Sequence, residues 1–511
     1  MTKLGQHVRA LHALWRSGLL RVWPWTAFLI WLAWRRCRGT LAFLAEVSAL
    51  RAGSRLALVD DDGPLTFVEL HLRCQSLAAE LVQRFAAGPG RQIAIIGRNH
   101  RSIIVALLAA TRTGADVLLL NPDSPPAVLA KVLAASKARP IILHSAEIDP
   151  AAVMPGAPSL TLLPNAGLGT PMSSLPCLKQ SGHLCVLTAG SSGLPKRIVR
   201  RPTIASLMPV VLGFLDNLPI AMHRPTVLAL PVFHGHGLAT LATALAFAAP
   251  VCLGRRHEIA PLLARSPSPG EAVVVSVPTL LARWLADGPA PQKVAAVLTG
   301  SAPLAPQLCR TLVDVLGPVV YNLYGSTEAG VVSLATPAML AAAPGTVGKP
   351  LPGTDVRIVN AEGHDVAHGQ TGRVDVRGPL VCQHLDQDWF DTGDLGRFDE
   401  AGHLHICGRA DGMFVSGGEN VYPAEVEARI LEHPDVAEAA ITVVADAEFG
   451  ARMRAFVVVR PEAPLTPEAL RNWLRRSLER YQQPRSIEIV ATLPHNALGK
   501  IDRGAIEKGS T

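Results

Sequence analysis

The chain has 511 residues, 49% apolar and 17% charged, which suffices for a sizeable core in two or more domains and excludes a disordered chain. Its eight cysteines are scattered with no CxxC pair, so neither a zinc site nor a disulfide framework is indicated, and a reducing compartment fits. The formal net charge of +7 is carried entirely by Lys3, Arg9, Arg16, Arg21, Arg35, Arg36 and Arg38, because residues 1–40 hold no acid and the remainder is formally neutral; a basic N-terminal arm is implied, and a general nucleic-acid surface is not.

Five of the eight tryptophans lie in that arm: Trp15, Trp23, Trp25, Trp31 and Trp34. Residues 22–34 are apolar except Pro24 and Thr26, with Arg21 and Arg35 on either side. As a helix this run spans about 20 Å, short of a hydrocarbon core of about 30 Å. Tryptophan with arginine favours a membrane interface, where rings sit at headgroup depth and guanidiniums meet anionic lipid. The alternatives are a helix packed on the main domain or at a dimer contact, and a true span. No small-residue cleavage site clearly follows, which argues against a signal peptide.

The globular part starts near residue 50. Residues 56–59 read as a strand and 60–64 as a turn. Thr66 with Glu69 fits a capping box opening a helix through about Phe85. Strands are expected at 93–96, 116–120 and 140–143, with helices at 103–110 and 128–135. This alternation argues α/β layering on a mainly parallel sheet. Residues 146–180, rich in Pro, Gly and Ser, read as a surface connection.

A strand at 184–187 then leads into Leu187-Thr188-Ala189-Gly190-Ser191-Ser192-Gly193-Leu194-Pro195-Lys196. Glycines let backbone N–H groups lie against a ligand, and hydroxyls with a lysine suit a polyphosphate. The spacing is not that of the common P-loop, and a polar surface turn is the plain alternative. Residues 226–230 form a strand ending in Pro231-Val232-Phe233-His234-Gly235-His236-Gly237, which suggests a ligand wall. Residues 238–253 read as a buried helix or the lining of an alkyl tunnel.

A strand at 273–277 and a helix from Pro278 follow. Next come Thr299-Gly300-Ser301-Ala302-Pro303, then Tyr324-Gly325-Ser326-Thr327-Glu328, then Trp389-Phe390-Asp391-Thr392-Gly393-Asp394, then Gly408-Arg409-Ala410-Asp411. A ring, a tight turn, two hydroxyls and a carboxylate within five residues is a dense functional set. After Ser416-Gly417-Gly418-Glu419, a helix is expected at 424–431, strands at 436–444 and 454–459, and a helix at 467–478 after Thr466 as N-cap. The chain closes with Leu493-Pro494-His495-Asn496-Ala497-Leu498-Gly499-Lys500.

These motifs, in this order over roughly residues 50–508, resemble the adenylate-forming enzymes: acyl-CoA synthetases, luciferases and peptide-synthetase adenylation domains. The runs Gly97-Arg98-Asn99 and 342–348 look most like bacterial long-chain acyl-CoA ligases. The resemblance implies three parts: an arm at 1–49, an α/β domain at 50–410 with mainly parallel sheets and a β-rich subdomain, and a small mobile α+β lid at 411–511. It implies that Thr188, Ser191, Ser192, Gly193 and Lys196 serve the phosphates of ATP. Gly300, Ser301, Ala302 and Pro303 would pass the adenine and the acyl carbonyl. Tyr324 and Gly325 would border adenine, Thr327 would contact phosphate and Glu328 would hold Mg²⁺. Asp394 and Arg409 would hold ribose, and His234 would wall the acyl pocket. Asp411 would be the hinge, Gly418 would leave room for the CoA arm, and Lys500 would be the catalytic lysine. Two departures are visible: Gly412 stands where many relatives have a second acid, and His495 where many have arginine or lysine.

The expected reaction is activation of a medium- or long-chain fatty acid to acyl-AMP with transfer to CoA, releasing AMP and pyrophosphate. The alternatives are loading of an acyl carrier protein, a CoA ligase for an aromatic or β-hydroxy acid, and a non-catalytic lipid-binding scaffold. The expected location is cytoplasmic, peripheral on the inner face of an anionic membrane. An oligomer is possible and no nucleic acid is expected.

Overall fold

The computed structural model describes residues 24–509 except 125, 136–138, 166, 168–174, 189–195, 199–203, 288–292, 382–387, 413, 417–418, 447–449, 462, 477, 479–481 and 497–499. The chain divides into two compact units, residues 1–276 with 286–298, and residues 277–285 with 299–511.

The first unit holds a six-stranded sheet in the order Ser159–Thr161, Ile141–His144, Gln92–Ile96, Asp116–Leu120, Leu184–Thr188, Lys196–Ile198. All neighbours run parallel except the last pair. The central strands are apolar runs buried along their length, as expected where helices cover both faces. Helix Arg101–Thr113 is buried at every residue, packed on strands Gln92–Ile96 and Asp116–Leu120 and on helices Leu41–Ala52 and Phe67–Phe85. Its middle, Ile103 to Ala110, is apolar on all sides, as a helix in such a place should be, and its polar residues are confined to the two ends. The capping box is present: Glu69 N–H donates to Thr66 Oγ1, and the Glu69 carboxylate accepts from Thr66 N–H.

Further strands of this unit run in the order Val273–Ser276, Thr226–Leu228, Val251–Cys252, Leu56–Asp60, Gly63–Thr66, parallel until the last, which closes a hairpin. Three elements differ from expectation. Residues 63–66 are a strand rather than the end of a turn, because Gly63 at φ +98° turns the chain back on Leu56–Asp60. The supposed connection 146–180 contains helix Pro150–Val153 and strand Ser159–Thr161, which joins the sheet edge. The apolar run 238–253 is helix Gly235–Ala246 followed by the two-residue strand Val251–Cys252.

The second unit is richer in antiparallel structure. Strands Val320–Ser326 and Gly330–Ala335 form a hairpin bordered by Lys349–Pro350. A four-stranded antiparallel sheet follows, Asp355–Val359, Gly372–Arg377, Phe390–Phe398 and Leu404–Arg409. Val332, Ile358, Val374, Val376 and Leu404 share one core. Nearer the C-terminus, Val436–Asp446, Gly450–Val459 and Ser486–Ile489 form a three-stranded sheet whose core includes Val426, Ile441, Val457, Leu470 and Leu474. Thr466 caps helix Pro467–Leu474 through Ala469 N–H. The expected fold class is thus borne out: an α/β body with mainly parallel sheet, a β-rich part and a small α+β C-terminal portion.

Candidate functional site

In the first unit, Thr188 ends one strand and Lys196 opens the next, and the two are register partners in an antiparallel pair. Ser191, Ser192 and Gly193 lie outside the described residues, as does Gly418. His234 is half-buried at the N-terminus of helix Gly235–Ala246, its ring 4.6 Å from that of Phe233. What positions this turn is Asn99, which is fully buried. Its Nδ2 donates to Leu230 O at 2.7 Å, and its Oδ1 accepts from Val232 N–H at 2.9 Å. One amide thus satisfies both backbone polarities where strand pairing stops. Sequence reasoning had not assigned Asn99 this role.

The second unit brings three of the expected residues together. Asp394 and Arg409 are register partners on adjacent antiparallel strands, which puts their side chains within reach. Arg409 Nη1 lies 3.4 Å from Asp394 Oδ1 and donates to Thr392 O at 3.2 Å. Tyr324 reaches the same carboxylate from the hairpin, its hydroxyl donating to Asp394 Oδ2 at 2.6 Å. Thr392, buried, accepts from Asp394 N–H and donates to Val374 O, fixing the strand beneath. Gly393 adopts φ +71°, and a Cβ there would stand 2.9 Å from Arg409 Nη2, so the motif needs glycine. Burial, then the Asp394 charge and hydrogen bond, push the Tyr324 phenol well above its ordinary range, so it remains a donor.

Gly325 follows Tyr324 at a register shift, where a Cβ would come within 2.1 Å of Gly330 O. This close approach closes the hairpin whose turn carries Thr327 and Glu328. Ser326 Oγ accepts from Ala329 N–H across that turn. Glu328 is half-buried and makes no ion pair among the described residues. Strand Ala296–Gly300 leads into Ser301, Ala302 and Pro303. Ser301 is exposed with φ +64°, a left-handed conformation uncommon for a non-glycine residue and often kept for function.

Asp411 lies in the single-turn helix Ala410–Gly412 between strands Leu404–Arg409 and Phe414–Ser416. Lys500 sits beside an isolated bridge between His495 and Ile501. Asn496 ties the segment twice, donating from N–H to Lys500 O and accepting Lys500 N–H on Oδ1. His495 Nε2 is 3.0 Å from Glu438 Oε2. Burial pushes the Lys500 ammonium below the ordinary lysine range.

A separate cluster in the first unit, Asp60, Asp62 and His100, has the donor types of a metal site. It is already occupied by protein. Arg101 donates to both Asp60 oxygens from its side chain, and His100 Nε2 lies 2.7 Å from Asp62 Oδ2. A guanidinium there repels a cation, which makes the cluster structural.

An AMP-binding enzyme family model matches residues 45–384, and a model of the AMP-binding enzyme C-terminal domain matches residues 425–500. The chain is 28% identical to a 2-succinylbenzoate–CoA ligase of Bacillus licheniformis, over 88% of this chain and 96% of that one. It is 30% identical to a feruloyl-CoA synthase of an Amycolatopsis species, over 87% and 94%. Among solved structures, ATP-bound MatB from Rhodopseudomonas palustris aligns with a TM-score of 0.79 at 26% identity, over 92% of this chain and 98% of that one. The likeness expected to long-chain fatty acyl-CoA ligases is not what these relatives bring forward.

Proposed function

The chain belongs to the AMP-binding enzyme family, and from that premise we propose that it activates an aromatic carboxylic acid as its acyl-adenylate and passes the acyl group to CoA. It is an AMP-forming acid–CoA ligase that uses ATP with Mg²⁺ and takes CoA as co-substrate. The observation that carries the assignment of the site is the Tyr324–Asp394–Arg409 cluster. It offers a ring, a carboxylate and a guanidinium at fixed spacing, the chemistry that a nucleoside requires.

In this reading a carboxylate oxygen of the acid attacks the α-phosphorus of ATP. The bond to the bridging oxygen breaks and pyrophosphate leaves with the electron pair. Thr188, Ser191, Ser192, Lys196 and Thr327 hold the phosphates, and Lys500 stabilises charge on the transferring group. Lys500 suits this role because burial disfavours its charge until an anion arrives. Glu328 would hold Mg²⁺: a half-buried carboxylate at a hairpin turn suits a metal that draws its other ligands from phosphates and water. When bound, that metal neutralises phosphate charge. Gly300 to Pro303 border the acyl carbonyl, Gly325 lets the chain turn at the adenine, and Asp394 with Arg409 takes the ribose hydroxyls.

In the second step the CoA sulfur attacks the acyl carbon, AMP leaves and the thiol proton passes to solvent. Asp411 is the proposed hinge between steps. A single turn between two strands is a place where backbone torsions can change at little cost. Gly418 is the proposed clearance for the CoA arm. The aromatic reading rests on the two relatives named above, and the adjoining rings of Phe233 and His234 at the proposed acyl position are compatible with it. A fatty acid and a carrier-protein acceptor are the readings set aside.

The test is pyrophosphate release with a panel of hydroxycinnamates, arylalkanoates, medium- and long-chain fatty acids and short dicarboxylates. An aromatic acid should give the highest kcat/KM. A fatty acid preferred by about tenfold or more would overturn the substrate class.

A further inference from the structure

Helix Pro24–Cys37 carries an exposed aromatic face. Trp25 is 70% exposed, Phe28 47%, Trp31 48% and Trp34 39%. Large rings at one surface in this number are unusual for a chain in water, where an extended apolar patch marks an interaction site. Positions 25, 28, 31 and 34 recur at intervals of three, so each ring neighbours the next and the set sweeps about half of the helix circumference. Their rings touch in series, Trp25 to Phe28 at 5.6 Å and Phe28 to Trp31 at 5.8 Å between centroids. At the C-terminal end of the stripe two guanidiniums lie over ring faces, Arg35 over Trp31 at 5.0 Å and Arg38 over Trp34 at 5.2 Å.

The opposite side of the helix is held by the first unit. Ala33 and Cys37 are fully buried. Arg36 pairs with Glu46 of the next helix, Leu41–Ala52, and its carbonyl accepts Leu178 N–H. Arg38 Nε donates to Leu178 O at 3.0 Å. The aromatic face is therefore presented by a fixed helix, not by a free tail.

We propose that this face is a docking surface for an anionic lipid bilayer, with the helix lying in the plane of the interface. Charge decides among occupants. The first forty residues hold seven basic side chains and no acid, while the remainder of the chain is formally neutral. Neither Arg35 nor Arg38 has an ion pair among the described residues. A second copy of the chain would bring the same positive charge against it, whereas lipid phosphates complement it. Indole rings prefer headgroup depth, with cations beside them at the phosphates. Among the described residues no helix is long and apolar enough to cross a membrane, which fits an in-plane helix. The inference goes beyond the ligase reading and holds whichever acid is activated, because it places no residue of this face in the chemistry.

The test uses the full chain with vesicles of phosphatidylcholine alone or mixed with phosphatidylglycerol. Co-sedimentation should require phosphatidylglycerol and weaken with added salt. A variant with Trp25→Ser, Phe28→Ser and Trp31→Ser should lose about tenfold or more in partitioning, as expected from the apolar area removed, while keeping wild-type turnover of a water-soluble acid. Lipid-borne quenchers should dim tryptophan emission in the wild type and far less in the variant. Equal partitioning of both proteins, or no binding to anionic vesicles by the wild type, would overturn the proposal. So would a dimer in analytical ultracentrifugation that the three substitutions dissolve, since that would assign the face to a second copy.

Discussion

The Tyr324 hydroxyl donates to Asp394 Oδ2 across 2.6 Å, joining residues 70 positions apart in the chain. The other Asp394 oxygen faces Arg409 on the neighbouring strand. One carboxylate is thus held from two directions, by a phenol that keeps its proton and by a guanidinium that keeps its charge. A group so fixed is ready to accept hydroxyls without reorganising, which is how a binding site gains from rigidity.

Tyr324→Phe should remove that tie and leave the ring in place. Stability should fall by about 1.5–3 kcal/mol, the range for a hydrogen bond to a charged group. KM for ATP should rise more than kcat falls. Urea denaturation and steady-state kinetics with ATP varied would check both parts.

Asn99→Ala should leave Val232 N–H and Leu230 O without their side-chain partners in a buried place. The expected loss is about 1–3 kcal/mol, read as a lower urea midpoint with an unchanged slope. Because the same turn carries His234, KM for the acid should rise while KM for ATP stays near wild type.

Asp60→Asn tests the cluster that looks like a metal site. Burial opposes the Asp60 charge, but hydrogen bonds from Arg101 and its positive charge outweigh this and hold the carboxyl below its ordinary range. The pair therefore contributes in full above the unfolded value near 3.9 and fades as pH falls through the lower folded value. Breaking a buried pair costs about 3–5 kcal/mol. The variant should be less stable by that order at neutral pH and should converge with wild type on acidification. Calcium or magnesium should shift the melting temperatures of the two proteins by the same amount, since neither ion binds at this cluster.

Lys500→Ala should slow adenylation by a factor on the order of 10²–10³, as loss of a charge-stabilising donor does elsewhere. Thiolation of supplied acyl-AMP should change little. Burial lowers the folded value of this lysine, so adenylation, which uses its charged form, should fall as pH rises through a value below the ordinary 10.4 or so. Lys500→Arg should retain charge and flatten that alkaline limb. Single-turnover measurements of the two half-reactions separate these outcomes.

Much of the fold could be read from local pattern. The Thr66–Glu69 capping box, the apolar strand runs and the Thr466 cap each signal themselves within a few residues. Short elements could not be read this way. Val251–Cys252 lies in a run of small apolar residues that suits helix and strand equally, and Ser159–Thr161 earns its place only by pairing with Ile141–His144. At the site, sequence named Tyr324 for the adenine and Asp394 with Arg409 for the ribose, without a contact among the three. Their mutual contact depends on strand register across distant segments, which no local pattern encodes. Asn99 was hidden for a similar reason, since its partners lie 131 and 133 positions away. The fatty-acid expectation drew on the runs Gly97-Arg98-Asn99 and 342–348, while the relatives named above are ligases of other acids; the small and apolar residues around 238–253 suit a core helix as well as an alkyl channel, and helix Gly235–Ala246 buries Leu241 and Leu245.

The central claim is tested most directly by mass spectrometry of the products from purified protein, MgATP and an aromatic acid, with and without CoA. Acyl-CoA and AMP should form in equal amounts when CoA is present, and acyl-AMP should be retained by the enzyme when it is absent. Acyl-AMP that persists unchanged in the presence of CoA, or acyl-CoA formed only from fatty acids, would contradict it.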